Sequence, residues 1–209
     1  MNHPWEEIRL ADYEQHMQLD SVGQLQALNV LMKEQLGSFP VRTAMILGIA
    51  GGNGLEHIRK DQYDTVWGID INEAYLLAAE ERYPELRGIL RCLCLDLSEE
   101  PEKLPQAELV IADLLVEYIG YDAFQRVIQQ TDPAYVSCVI QINNPDEAQW
   151  VSDSPYLHAF DRLDEIHHQM DESALTCSME SIGYTKILKD TASLPNGKQF
   201  IRLDYRIKR

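Results

Sequence analysis

Between residues 43 and 143, short apolar runs alternate with stretches of helical spacing. TAMILGIA (43–50), VWGID (66–70), ILRCLCLDL (89–97), AELVIADLL (107–115) and AYVSCVIQIN (134–143) are nearly unbroken, the pattern of strands covered on both faces. NEAYLLAAEERYPEL (72–86) and YDAFQRVIQQ (121–130), between them, read as helices. Parallel neighbours need a crossover, so this alternation predicts a parallel sheet with helices on both faces.

The flanks behave differently. SVGQLQALNVLMKEQLG repeats Val22, Leu25, Leu28, Leu31, Met32 and Leu36 at helical spacing, with Asp20 or Ser21 to cap it and Gly37 and Pro40 to stop it. Residues 5–17 predict a weaker helix. At the other end, SALTCSMESIG (173–183) reads as a helix. YTKILKDTASL and KQFIRLDYRIK flank Pro195-Asn196-Gly197, a hairpin signal. The expected fold is α/β: a doubly wound, mostly parallel seven-stranded sheet with a C-terminal antiparallel hairpin, preceded by N-terminal helices. Residues 1–209 are expected to form a single domain, with 1–37 as its helical extension, since no repeat or linker divides the chain.

The formal net charge is −16. A nucleic-acid binder must neutralise phosphates with lysine and arginine, so no nucleic-acid partner is expected. The basic residues Lys198, Arg202, Arg206, Lys208 and Arg209 alternate with apolar ones and read as the wet face of a strand. Cys92, Cys94, Cys138 and Cys177 lack a Cys-x-x-Cys pair and are expected to be small buried hydrophobes. No apolar run approaches the roughly 18–20 residues of a membrane span, and the N-terminal stretch is acidic. No membrane partner and a cytoplasmic location are therefore expected.

The most informative stretch is ILGIAGGNGLEHI (46–58): a strand, a glycine-rich turn, then an expected helix. In doubly wound sheets ligands bind at the carboxyl ends of strands, where glycines let the backbone approach closely. Asp70 ends the second run, Asp96 the third and Asp113 the fourth. A carboxylate at the first of these places can accept from both hydroxyls of a ribose, and one at the next can reach an adenine amino group. Three acids at successive strand ends make a ligand site a better account than three solvated loops.

At these residues the chain resembles the class I S-adenosylmethionine-dependent methyltransferases. Their Gly-x-Gly-x-Gly turn corresponds to Ala50-Gly51-Gly52-Asn53-Gly54, with Ala50 in place of the first glycine and Gly48 where the family usually carries an acid. VWGIDIN resembles the ribose motif, implying Asp70 for the hydroxyls and Ile71 for packing on adenine. CLDLSE resembles the adenine motif, with Asp96 and Leu97. ELVIADLLVEYIG resembles the fourth motif, implying Asp113 near the methionine end, and Glu117-Tyr118 stands where many relatives have Glu-His. The resemblance implies S-adenosyl-L-methionine as cofactor, held by Gly48, Ala50, Gly52, Gly54, Asp70, Ile71, Asp96, Leu97 and Asp113. It also offers a role for the helix at 21–36, as a lid; a core helix or a homodimer contact are the alternatives.

The acceptor is expected to be a small molecule or a protein side chain. Residues 144–172 form a connection longer than the usual roughly 2–6 residues, rich in Trp150, Tyr156, His158, Phe160, His167 and His168. With the loop Asp113–Tyr118 it is expected to wall the acceptor pocket, Tyr118, His158 and His167 being the candidate catalytic residues. Residues roughly 156–170 read as a surface helix. No metal is expected, since adjacent His167 and His168 diverge on a helix. Two other readings stand: an NAD-dependent Rossmann oxidoreductase and a non-catalytic S-adenosylmethionine-binding module. The first lacks glycines in register, as the frame from Gly48 gives Gly-Ile-Ala-Gly-Gly-Asn.

Overall fold

Each of the five apolar runs becomes a strand, trimmed at its ends. The computed structural model describes residues 3–143 and 150–208 and contains β1 (Thr43–Leu47), β2 (Thr65–Asp70), β3 (Leu90–Cys94), β4 (Leu109–Asp113) and β5 (Tyr135–Ile142). β6 (Tyr184–Ser193) and β7 (Gln199–Ile207) form the hairpin around Pro195-Asn196-Gly197. One seven-stranded sheet runs in the order β3-β2-β1-β4-β5-β7-β6, parallel except for β7, which pairs antiparallel with both neighbours. Alternation along β1 divides the core. Met45 and Leu47 join Val110, Phe124, Val127 and Leu203 on one face, while Ala44 and Ile46 join Met32, Leu36, Leu76 and Ile111 on the other.

The helices are α1 (Pro4–Glu7), α2 (Leu10–Met17), α3 (Gln24–Ser38), α4 (Glu73–Arg82), α5 (Val116–Thr131) and α6 (Glu172–Ser181). The weak N-terminal helix is thus two, broken at Ile8-Arg9. Gly23, not Asp20 or Ser21, is the α3 N-cap, at φ +65°. The helix passes through Gly37 and stops at Phe39, before Pro40. Among the described residues, no helix is long and apolar enough to cross a membrane.

Four further expectations change. The glycine turn after β1 leads into a single 3-10 turn, Leu55–His57, and not into an α-helix. α3 instead covers that face of β1: Asn53 Nδ2 donates to the Leu25 carbonyl at 2.9 Å, and the Tyr63 hydroxyl donates to the Leu36 carbonyl at 2.7 Å. The predicted surface helix at 156–170 is a 3-10 segment, Leu157–Glu165, that buries Phe160 and Leu163. The basic face of β7 is wet only in part: Arg206 and, just past the strand, Lys208 are exposed, whereas Arg202 is buried beneath α3 and Lys198, just before the strand, is buried too; Arg209 lies outside the described residues. Arg202 pairs with Asp204 through two bonds of 2.9 and 2.7 Å and reaches Glu34 at 3.3 Å. Among the cysteines only Cys138 is buried; Cys94 is exposed because β3 is the sheet edge, and Cys177 is exposed on α6.

Candidate functional site

The carboxyl ends of β1, β2, β4 and β5 and the loop after β3 open onto one cavity with an empty volume of about 1100 Å³ up to its mouth. Of the expected cofactor residues, Gly48, Ala50, Asp70, Ile71, Asp96, Leu97 and Asp113 line it. Gly52 and Gly54 do not. A Cβ on Gly52 would meet Leu55 and Tyr83, and one on Gly54 would meet Met32 at 2.6 Å, so these glycines let the turn pack under α3 and α4.

The turn explains how Asp70 is aimed. Gly48 and Ala50 adopt φ +70° and +47°, which brings the Ala50 N–H onto Asp70 Oδ2 at 2.9 Å. The Asn72 N–H donates to Oδ1 at 2.9 Å. Burial, the larger effect, pushes the Asp70 carboxyl up, and these backbone donors oppose it. A carboxylate has about four lone-pair sites, so these backbone donors leave capacity for others. Asp96 accepts from the Ser98 N–H at 2.8 Å, also with capacity to spare.

β4 delivers Asp113, and the first turn of α5 delivers Glu117 and Tyr118. Leu114 takes φ +53° between them, and Gly120, at φ +73° and ψ 169°, breaks that turn from the rest of α5. Asp113 Oδ1 accepts from Gln35 Nε2 of α3 at 2.8 Å, while Oδ2 is buried and has no partner among the described residues. Glu117 is 5% exposed, and its Oε2 likewise has none. Desolvation pushes these carboxyls up to about 7 for Asp113 and about 8 for Glu117.

The remaining wall is aromatic and comes from the N-terminal helices and the long connection. Trp5 meets the Tyr118 ring edge-on at 4.9 Å, Tyr118 lies 6.1 Å from Trp150, and Trp150 stacks on His167 at 3.8 Å. Asn72 Nδ2 and the Tyr75 hydroxyl hold this wall by donating to the carbonyls of Trp5 and Ile8, at 3.0 and 2.8 Å. Arg82 of α4 pairs with Glu14 of α2. His167 and His16 line the cavity with pKa values lowered to about 4, mainly by burial, so both imidazoles are neutral near pH 7.

Two of the three candidate catalytic residues, Tyr118 and His167, therefore meet at the cavity. His158 is exposed and does not line it, because the 3-10 segment turns Phe160 and Leu163 inward instead. His168 is exposed and anchors the connection, its N–H donating to the Glu117 carbonyl at 2.6 Å. Residues 144–149 lie outside the described residues; of the expected acceptor segment, Trp150, Val151, Ser152, Phe160, Leu163 and His167 line the cavity. The sequence reading placed Glu117 in the acceptor loop and gave it no role of its own, although its place in the fourth motif was a signal. It left out Trp5, Tyr13 and His16, which line the cavity and which no spacing rule connects to a strand end.

No protein-family profile matches the chain, and no curated protein does. Solved structures do. The N-methyltransferase NodS from Bradyrhizobium japonicum WM9, in complex with S-adenosyl-L-homocysteine, aligns with a TM-score of 0.67 at 12% identity, covering 94% of this chain and 96% of that one. The magnesium protoporphyrin IX methyltransferase of Synechocystis PCC 6803, with S-adenosylhomocysteine bound, aligns at 0.64 and 13% identity, covering 90% and 84%. The cyclase SpnF aligns at 0.65 and 12%, covering 87% and 80%. At such identities the likeness is one of fold.

Proposed function

From the premise that this chain has the fold of the class I S-adenosylmethionine-dependent methyltransferases, we propose that it binds S-adenosyl-L-methionine and transfers its methyl group to a small-molecule or protein acceptor. The observation that carries the reading is the convergence of Asp70, Asp96 and Asp113 with the Gly48–Ala50 turn on one cavity. The residues fit the cofactor. Asp70 retains acceptor capacity for ribose hydroxyls, Ile71 and Leu97 supply apolar surface beside Asp96 for an adenine, and the unpartnered Asp113 Oδ2 can take a donor at the methionine end. Gly48, where the family usually has an acid, offers no side chain, so that contact falls to a backbone carbonyl or to another side chain such as Asp113. When bound, the cofactor supplies an electrophilic methyl group on a sulfonium. The protein's part is to hold an acceptor atom in line and keep water out. Tyr118 and the neutral His167 stand where they can orient the acceptor; with its pKa near 4, His167 is a poor general base and a good hydrogen-bond acceptor.

The NAD-dependent alternative is weakened by the 3-10 turn at Leu55–His57. A dinucleotide pyrophosphate rests on the N-terminus of an α-helix, and none follows β1. The acidic balance leaves nucleic acid out of the proposal. Titration calorimetry with S-adenosyl-L-methionine and with NAD tests it: binding of the first alone is expected. Asp70→Ala should weaken that binding by about 1.5–3 kcal/mol, the range for hydrogen bonds to a charged group. Unchanged affinity would remove the assignment. A non-catalytic binding module would keep cofactor affinity yet give no methyl transfer against a metabolite pool.

A further inference from the structure

We propose that the acceptor side of the cavity selects an organic cation, namely a compact amine with an apolar body, and that Glu117 is the group that receives its ammonium. This rests on the methyl-transfer reading above and specifies its substrate class. The described residues that line the cavity include four carboxylates, Asp70, Asp96, Asp113 and Glu117, and neither a lysine nor an arginine. The first two belong to the expected adenosine end. Glu117 lies beyond them, in the turn of α5 that also carries Tyr118, and its Oε2 is buried without a partner among the described residues. A buried acceptor left unpaired costs free energy comparable to a lost hydrogen bond, and a donor with positive charge is the partner that offsets it best. Trp5, Tyr118 and Trp150, whose rings meet one another, line the same cavity as Glu117 and offer surfaces that favour a cation with hydrocarbon attached. His16 and His167 bring no competing positive charge, being neutral near pH 7. The one nearby ammonium, Lys198, lies outside the lining and donates to the Trp150 carbonyl at 2.6 Å.

The chemistry balances. Glu117, held protonated near pH 7 by burial in the empty cavity, releases that proton to water as the ammonium arrives; the bound ammonium then gives one proton to the carboxylate, and the freed nitrogen lone pair forms the new N–C bond. The C–S electron pair stays on sulfur, and the proton now on Glu117 restores its starting form when the N-methylammonium product departs.

An isosteric series tests this: phenethylamine, 2-phenylethanol and 3-phenylpropionate, titrated calorimetrically into the protein with and without saturating S-adenosyl-L-homocysteine. The amine should bind at least about tenfold more tightly than either analogue, a difference of about 1.4 kcal/mol. In Glu117→Gln, which keeps shape and removes the charge, that preference should fall below about threefold. Equal or tighter binding of the alcohol or the carboxylate, no binding by any of the three, or a preference that survives Glu117→Gln overturns the proposal. The comparison within the wild-type protein needs no variant to fold. S-adenosyl-L-homocysteine failing to bind would sink the cofactor reading instead, and the amine preference is read separately in the runs without it.

Discussion

Ala50 carries a methyl group through a left-handed turn, at φ +47°, where the resembled family has glycine. An L-residue there costs roughly 1–2 kcal/mol, part of which glycine would give back through its greater freedom when unfolded. Ala50→Gly should therefore stabilise the protein by about 0.5–1 kcal/mol in urea denaturation. No gain would mean that the turn is relaxed. Leu114, the other strained residue of the lining, sits one position after Asp113 at φ +53°. Both outliers fall where the backbone leaves a strand end and passes the cavity, which is where strain is expected to be kept. The sequence made Ala50 visible as a departure from a motif. It left Leu114 unremarked, because a leucine carries no sign of the dihedral that its neighbours impose.

Among the elements, α3 departs most from expectation. It supplies the helical cover that the β1–β2 connection leaves out, and Gly54 is the point of closest approach: a Cβ there would lie 2.6 Å from Met32 Cγ, at φ +93°. Gly54→Ala should cost about 2–4 kcal/mol, from strain and overpacking together. Gly37→Ala, on α3 itself, meets nothing within 4 Å and should gain about 0.5–1 kcal/mol from helix propensity. Equal effects of the two substitutions in thermal denaturation would refute this account of α3. The helix also reaches the site directly. Gln35 Nε2 donates to Asp113 at 2.8 Å and to Ser137 Oγ at 3.0 Å, and Ser137 donates to Asp204, the partner of Arg202. Gln35 stood in the sequence as one polar residue on an apolar stripe, with no hint that its partner lay at the end of β4.

For the whole molecule, the buried ionisable groups set a pH profile. Asp113 and Glu117 have folded pKa values raised to about 7 and 8, so the unfolded chain releases their protons first and stability falls as pH rises. His16 and His167, lowered to about 4, act in the opposite sense, since the unfolded chain takes up their protons first as pH falls below about 6.5. Between about pH 4.5 and 6.5 the two pairs oppose each other; from about 6.5 to 8 only the carboxylates still act. The ligand-free protein should lose of order 1–3 kcal/mol over that upper window, and Glu117→Gln should flatten the loss, as read by melting temperature against pH. A wild-type profile that is level or rising from pH 6.5 to 8 would contradict it. Periodicity was enough to predict the strands, their alternation with helices, the terminal hairpin and the three strand-end acids, because a strand covered on both faces must be apolar throughout and a doubly wound sheet gathers its strand ends on one side. The rest depended on partners distant in sequence. Only packing decides that α3 replaces a missing helix, that it covers β7 at Arg202 and so buries it, or that Trp5 from the N-terminal helices closes on Tyr118. Burial then converts Glu117, one acid among many in a chain of net charge −16, into a carboxyl group held away from water with a raised pKa.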